Sequence, residues 1–554
     1  MNEKINEIIK SSLDKSIIIE GIAGSGKTKL AVDRVSYILK NYKPDITSKN
    51  IGVLATNKWS AEQIYEKLVS HKIKTAQIFT FEEFAKQIFN KKVRILGDKT
   101  KLISIINKNL KDPDNEEFKY ELEEIKFKSS LEYKRIIDKY LIDLASEILP
   151  KNDFVLGSVR IIKAEKVRKL FVEDYSELPF KDRIDKIAEY IFEKIKENNY
   201  IIIKEIIAQR SIKIQKLVKT NLDAKKVKTK RLEIIDKANK MLNMLYKEDI
   251  KIVDLYLENV KLRTAKIYYY NFINNYLYDN IEDKKLANYI VENTKQILNL
   301  NSFTHDDLAP IAYIHYKVYG SSFNKEIKHL VIDNVQDYSQ FQFSLIQEIL
   351  NPVSFTLTGD LMQSVYLNRG IDNWNNFISN LLNGKEIKRI KLNTNYRNSE
   401  EIINKIMSKL SNENINTDTQ KNTGKFDICK KNSVEEIGRE ISKKVRELLK
   451  NEDESLTIIC KSMAECRLFR TIIKHHIIEL PIISSIQEKP YKRLVIIPAY
   501  LTTGLEFKNV IIPNVGRHIY LNSEIDKKLL YLSISRATQN LEIYYTKNLS
   551  ELLL

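Results

Sequence analysis

The residues best suited to chemistry lie near the start of the chain. Gly21-Ile-Ala-Gly24-Ser25-Gly26-Lys27-Thr28 gathers three glycines, a lysine and a hydroxyl within eight positions, with the spacing GxxxxGK[ST]. Glycines let backbone N–H groups turn inward around phosphate oxygens, and the start of a following helix adds partial positive charge. In such a loop the lysine reaches the outer phosphates of a nucleotide and the threonine hydroxyl ligates Mg²⁺. The chain has only 14 glycines, with none between residues 158 and 319, so three within six positions is informative placement. The metal also needs a carboxylate at the end of a second strand, and His329-Leu-Val-Ile-Asp333 supplies one.

The elements that must position these groups can be read around them. Ser16-Ile-Ile-Ile-Glu20 is a buried-strand run, and Leu30, Ala31, Val35, Ile38 and Leu39 recur at helical spacing, so the loop is a P-loop joining strand to helix. Residues 1–95 alternate short apolar runs with helical segments, the pattern of a parallel α/β sheet. Residues 96–300 read as a helical domain inserted between the P-loop strand and the acidic strand. Its most basic stretch is Ser211–Lys230, where Asp223 is the one acid. From about 301 the α/β pattern returns, with strands expected at Phe355–Thr358, Leu456–Cys460, Leu494–Pro498 and Val510–Pro513.

Composition bounds the rest. The 554 residues are 43% hydrophobic, which argues against wholesale disorder and suggests about three to five folding units. Met1–Lys10 has no signal-peptide apolar core, and no run approaches the roughly 20 apolar residues of a membrane span. Cys429, Cys460 and Cys466 form no CxxC pair and cannot build a disulfide framework. A soluble, cytoplasmic protein with no membrane partner is expected. The net charge of +18 fits either a polyanionic partner or a generally Lys-rich composition. Lys261, Arg263 and Lys266 ahead of Tyr268, Tyr269, Tyr270 and Tyr276 would suit nucleobase stacking, but tyrosines at this spacing are more often core. His475 and His476 have no paired-ligand spacing and are expected to be exposed, and Cys460 and Cys466 read as small core residues.

With the P-loop and acidic strand placed, the downstream motifs resemble superfamily 1 helicases of the UvrD/Rep-like family. Ala55-Thr-Asn-Lys58 is similar to motif Ia, Val331-Ile-Asp-Asn-Val-Gln-Asp-Tyr-Ser339 to motif II, and Leu357-Thr-Gly-Asp-Leu-Met-Gln-Ser-Val-Tyr366 to motif III. Leu392-Asn-Thr-Asn-Tyr-Arg397 is similar to motif IV, Thr503-Gly-Leu-Glu-Phe507 to motif V, and Leu529-Leu-Tyr-Leu-Ser-Ile-Ser-Arg-Ala537 to motif VI. Phe303-Thr-His-Asp-Asp-Leu-Ala309, Tyr338-Ser-Gln-Phe-Gln342, Arg369-Gly-Ile-Asp-Asn-Trp374 and Ile497-Pro-Ala-Tyr500 resemble the HelD (helicase IV-like) branch, some members of which act on RNA polymerase. The resemblance covers roughly 1–95 and 301–554.

It implies an α/β chain with two RecA-like P-loop NTPase domains. Residues 1–95 and 301–384 would form the first, 96–300 a large helical insertion, and 385–554 the second. ATP and Mg²⁺ are the implied cofactors. Gly21, Gly24, Ser25, Gly26, Lys27 and Thr28 would bind the nucleotide, with Tyr396 stacking on adenine and Glu506 near the ribose. Thr28 and Asp333 would hold the metal and Gln363 would sense the γ-phosphate. Arg397 and Arg536 would reach across from the second domain to the charge developing there. Single-stranded DNA is the implied partner, with RNA polymerase a further one.

Several positions depart from that pattern. Asn334 stands where motif II has a glutamate that orients or deprotonates the attacking water, and an amide cannot accept that proton. Asp337, three residues on, is a weak substitute. Ile5 stands for an adenine-reading glutamine. Asn368 and Ala55 stand for strand-stacking aromatics, though Trp59 lies near the second. Thr503 and Lys508 replace a lysine and an aspartate in motif V. About 100 residues separate motifs IV and V, too few for the duplex-engaging insertion of UvrD helicases, and 20 residues precede Gly21, too few for the N-terminal coiled coil of some HelD proteins. Two functions therefore stand side by side: a nucleic-acid-dependent, helicase-like ATPase, and an ATP-gated switch, weak in hydrolysis, that grips RNA polymerase or DNA.

Overall fold

The computed structural model describes residues 3–73, 76–89, 115–219, 223–321, 323, 326–365, 369–371, 373–382, 384–411, 415–417, 424–448, 450, 454–474, 481–483 and 493–554. These divide into two compact units. One comprises 1–133, 296–309 and 323–554, and the other 134–295 and 310–322.

In chain order the strands are β1 (Ser16–Gly21), β2 (Ile51–Ala55), β3 (Gln77–Thr80), β4 (Phe154–Leu156), β5 (Val159–Ile162), β6 (His329–Ile332), β7 (Ser354–Gly359), β8 (Ile387–Leu392), β9 (Thr394–Asn395), β10 (Asn416–Thr417), β11 (Phe426–Lys431), β12 (Leu456–Cys460), β13 (Leu494–Pro498), β14 (Phe507–Ile512) and β15 (Ala537–Thr546). A six-stranded sheet runs β3-β2-β6-β7-β1-β8 and a five-stranded sheet runs β11-β15-β14-β12-β13. Every pairing in both is parallel. The chain is thus mixed α/β with parallel sheets, as the alternating pattern implied.

Sequence explains the strand order. β2, β6 and β7 are buried along their whole length, as central parallel strands covered on both faces must be. At one edge β8 reads Ile-Lys-Arg-Ile-Lys-Leu, with Ile390 and Leu392 buried and charged residues between them. It pairs with β1 from Ser16 to Gly21. This moves one expectation: residues 387–392 fall in the span 385–554 assigned to the second sheet, yet they extend the first. Their alternating charges resemble an independent edge strand, and the partner that claims them lies more than 360 residues earlier. The helix Lys27–Asn41 buries Leu30, Ala31, Val35, Ile38 and Leu39, the face expected from periodicity.

Within the first unit, Lys128 is 1% exposed and pairs with Glu124 at 2.7 Å and Asp307 at 2.9 Å. Burial opposes the ammonium, but the two carboxylates outweigh it and hold the Lys128 pKa above its ordinary value. Asp307 also accepts from Thr304 N–H and Oγ1, which locks the turn leading into the helix Leu308–Tyr319. Lys128→Met should destabilise this unit by about 3–5 kcal/mol in chemical denaturation, because two buried carboxylates lose their counter-charge.

The second unit is mainly helical. Among its described residues the exception is the antiparallel hairpin β4–β5, which turns at Gly157 with φ of 67°. Phe154 and Leu156 are buried and Val155 is exposed, a period-two signal too short to stand out against its helical surroundings. Tyr268 and Tyr269 are buried, while Tyr140 packs on Phe272 and Tyr276 with ring centroids 5.4 and 5.3 Å apart. Tyr268 and Tyr269 are core and Tyr276 is half-buried, as their spacing suggested, whereas Tyr270 is 37% exposed.

Candidate nucleotide site

The P-loop leaves the carboxyl end of β1, which lies between β7 and β8. Gly24 has φ of 74°, and a Cβ there would sit 2.7 Å from Arg397 Cβ, so no side chain fits. Gly26, with φ of 83°, is the N-cap of the helix Lys27–Asn41 and aims the first backbone N–H groups into the loop. Lys27 Nζ donates to the carbonyls of Gly21 and Ile22, each at 2.8 Å. Burial pushes the Lys27 pKa down to about 8; Arg397 and Arg536 add to that, while Asp360 and Asp333 oppose it.

Asp333 follows β6 directly. Its Oδ1 accepts from Thr28 Oγ1 at 3.2 Å and Thr358 Oγ1 at 2.5 Å. Two hard oxygen donors, Thr28 at the start of the helix and Asp333 at the end of β6, fit Mg²⁺ and would hold it against the phosphates. Asn334 has φ of 53°, a left-handed conformation that asparagine tolerates better than most residues. Its backbone N–H donates to Thr358 Oγ1 and its Nδ2 to Asp333 Oδ2, both at 3.3 Å.

The far wall is built on Arg536, which is 1% exposed at the end of the helix Glu524–Ser535. It donates to Gln363 Oε1 and to the Leu505 carbonyl. Gln363 in turn donates from Nε2 to Asp360 Oδ2 at 2.6 Å. Burial, followed by the neighbouring Arg397, pushes the Arg536 pKa down to about 9. Arg397 pairs with Glu506 at 2.5 Å, and Tyr396, 41% exposed, is held by its N–H on the Gly24 carbonyl at 2.9 Å.

These groups enclose a cavity of about 370 Å³. Gly24, Ser25, Gly26, Lys27, Thr28, Asp333, Asn334, Gln363, Tyr396, Arg397, Glu506 and Arg536 all line it. Gly21 lies behind it and contributes its carbonyl to Lys27. Lys27, Lys29, Lys67, Arg397 and Arg536 face it against only Asp333 and Glu506, which favours a polyanionic ligand.

Sequence reasoning missed Lys67, Gln63 and Ser60 on the helix Lys58–Ser70. Their signal was the i, i+3, i+7 spacing that puts them on one face. It also gave no role to Asp360, although that residue stands inside the motif III string. Gly504 has φ of 81°, and a Cβ there would lie 2.5 Å from Ser60 Oγ, so the motif V loop packs tightly on this helix.

The departures also have places. Ile5 packs in an apolar cluster with Ile17, Ile19 and Leu30, and Ala55 and Trp59 are buried, so Trp59 offers no stacking face to solvent. Asp337 is buried and does not line the cavity. Thr503 accepts from Asn57 Nδ2 at 3.4 Å, and Lys508 pairs with Glu454 at 2.6 Å. Cys460 and Cys466 are fully buried in one apolar cluster. Asn368, His475 and His476 lie outside the described residues. Among the described residues no helix is long and apolar enough to cross a membrane.

Comparison with known proteins finds similarity to DNA helicases. The chain is 31% identical over 168 residues to a probable DNA helicase II homolog of Mycoplasma capricolum, covering 28% of this chain and 22% of that protein. It is 30% identical over 135 residues to the ATP-dependent DNA helicase Rep of Buchnera aphidicola from Acyrthosiphon pisum, covering 24% and 21%. The matches thus span about a fifth of these relatives' lengths. A solved C-terminal domain of a possible DNA helicase from Lactobacillus plantarum aligns at 23% identity with a TM-score of 0.24, covering 28% of this chain and 92% of that one. The UvrD/REP helicase N-terminal domain matches residues 1–381, more than half of the sequence, and the chain belongs to the UvrD/REP helicase family.

Proposed function

We propose that the protein is a nucleic-acid-dependent ATPase that binds ATP·Mg²⁺ in this cavity. The observation that carries the reading is the convergence of Lys27, Thr28, Asp333, Gln363 and Arg536 on one basic cavity. In this reading residues 1–95, 301–309 and 323–392 form one RecA-like domain, with 310–322 belonging to the helical unit and a second domain built on β11–β15. Lys27 and Arg397 hold the outer phosphates, and Arg536 stabilises the charge that grows as the γ-phosphoryl group leaves. Mg²⁺ on Thr28 and Asp333 would draw negative charge from the phosphates. Gln363 ties Arg536 to Asp360, so displacement of the arginine is felt across the site. Steady-state ATP hydrolysis with and without single-stranded DNA tests this: stimulation by the strand supports it, and a rate indifferent to the strand contradicts it.

Asn334 favours a second reading in which ATP closes the protein on a partner with little hydrolysis. The closed state needs differential affinity for ATP, not turnover. The HelD-like assignment belongs here as well, with DNA or RNA polymerase as the partner and a cytoplasmic location. Two of its markers meet in space, since Arg369 pairs with Asp306 at 3.5 Å and bonds His305 Nδ1 at 2.8 Å. Co-purification with RNA polymerase in the presence of ATP tests it.

Two predictions follow the chemistry of the cavity walls. Tyr396→Ala should weaken ATP binding by about 1–3 kcal/mol, the range of base–aromatic stacking, with no loss for inorganic triphosphate. Isothermal titration with both ligands checks this. The second concerns Lys27. Its folded pKa of about 8 lies below the ordinary 10.5, so the ligand-free protein binds fewer protons than the unfolded chain between these values. Stability without ligand therefore rises with pH across that window. Phosphates restore counter-charge and lift the pKa, so ATP binding should take up protons at pH 8.5 and weaken as pH rises further. Titration calorimetry in two buffers of different ionisation enthalpy should show this uptake, and Lys27→Met should abolish it.

A further inference from the structure

Arg536 is the C-cap of the helix Glu524–Ser535. Carbonyls at a helix end have no partner inside the helix, so the chain there shifts unless another group holds it. Asn398 is that group. Its Nδ2 donates to the Ser535 carbonyl at 3.2 Å and to the Ala537 carbonyl at 2.6 Å, one on each side of Arg536. The backbone that carries the arginine is thereby pinned at both flanks.

The same side chain leads back to the P-loop. Asn398 Oδ1 accepts from Asn395 Nδ2 at 2.9 Å, and that amide also donates to the Ala23 carbonyl at 2.8 Å. Asn395 Oδ1 in turn accepts the N–H groups of Arg397 and Asn398, which closes the turn. A second arm reaches Ala23 from the arginine's own helix. The hydroxyl of Tyr531 accepts from the Ala23 N–H at 3.3 Å and donates to Asp360 Oδ2 at 3.4 Å. Asp360 Oδ2 also holds the amide of Gln363, whose Oε1 accepts from Arg536. Both polar groups of one P-loop residue are therefore bonded to side chains that fix Arg536.

Stability alone does not account for these groups. Tyr531, Asn395 and Asn398 are all buried. A buried hydrogen bond exchanges water for a protein partner at small net gain, and apolar groups of the same shape often replace such a pair at little cost. What the polar groups add is direction. A hydrogen bond fixes distance and angle between Ala23 and the Arg536 backbone, where an apolar contact would let them slide.

We infer that Tyr531 and Asn398 are positioning residues that tie Arg536 to the P-loop through Ala23, aiming its guanidinium at the outermost phosphate of a nucleotide seated in that loop. The inference rests on the ATP-site reading and adds to it how the protein tells a nucleoside triphosphate from a diphosphate.

The test is titration calorimetry, with Mg²⁺, of ADP and of the non-hydrolysable β,γ-imido analogue of ATP. It compares the wild type, Tyr531→Phe, Asn398→Ala, Arg536→Ala, and each of the first two substitutions combined with Arg536→Ala. Tyr531→Phe removes one hydroxyl and keeps the ring, and a cooperative thermal melt verifies folding of every variant. Preference for the triphosphate should fall by about 2–10-fold in Tyr531→Phe and in Asn398→Ala, the range of one lost hydrogen bond, with ADP affinity held within about twofold. Neither substitution should lower that preference further once Arg536 is alanine. A residue that only props the fold weakens both nucleotides alike, and its effect adds to that of Arg536→Ala. Full triphosphate preference in both single variants, or an effect undiminished in the Arg536→Ala background, would overturn the inference alone. A wild type that binds neither nucleotide would overturn the ATP-site reading and the inference with it, so the two failures are told apart.

Discussion

Asn334→Glu should raise ATP turnover by about 10²-fold or more, within the range of general-base catalysis. Asn334 lines the cavity, with its amide 3.3 Å from the carboxylate of Asp333. An amide can hold water by hydrogen bonding but has no basic atom to take its proton at neutral pH. A glutamate would supply that base. The backbone sets a cost, because residue 334 adopts φ of 53°. A glutamate is less at ease there than asparagine, and the variant should lose about 1–2 kcal/mol of stability in the same preparation. Faster turnover with a lower melting temperature is the joint signature. Strand-stimulated hydrolysis already fast in the wild type, and unchanged by the substitution, would show that Asn334 does not limit the chemistry.

Arg536→Ala should act in the opposite direction. Removing an arginine that meets the leaving phosphoryl group typically costs about 10³-fold or more in turnover. The expected change in ATP affinity is smaller, under about tenfold or 1.4 kcal/mol, because Lys27 and Arg397 still face the phosphates. Arg536→Lys separates charge from shape. It keeps the positive charge but loses the planar fork that bonds Gln363 and the Leu505 carbonyl together. Recovery of less than a tenth of wild-type turnover is expected in single-turnover kinetics. Equal loss of binding and turnover in both variants would mean that Arg536 only holds the wall in place.

Much of this site is legible in the sequence, because it is encoded locally. A phosphate loop needs glycines at positions where a Cβ collides, and Gly24 against Arg397 is such a position. The strands β1 and β6 were legible as short apolar runs, whereas the fully buried β7 alternates Ser354, Thr356 and Thr358 with its apolar residues. What was not legible depends on distant partners. β8 looks like a charged surface strand until β1 claims it. Lys67 and Gln63 look like ordinary surface residues, and only the packing of their helix beside the P-loop brings them to the cavity rim. Trp59 looked available for stacking, but the sequence cannot show that its ring joins an apolar cluster with Leu501 and Leu505. Asp337 stood near enough to Asn334 to replace it, yet the short turn Val335–Asp337 carries it away from the cavity.

The central claim is that the cavity between the P-loop and Arg536 is an ATP·Mg²⁺ site. Its most direct test is titration calorimetry of ATP with Mg²⁺ into the wild type and Lys27→Met, whose side chain retains the length but not the charge. The account predicts saturable one-site binding in the wild type, weakened by about 100-fold in the variant, or roughly 2.7 kcal/mol. Absence of binding in the wild type, or equal affinity in the two proteins, would contradict it.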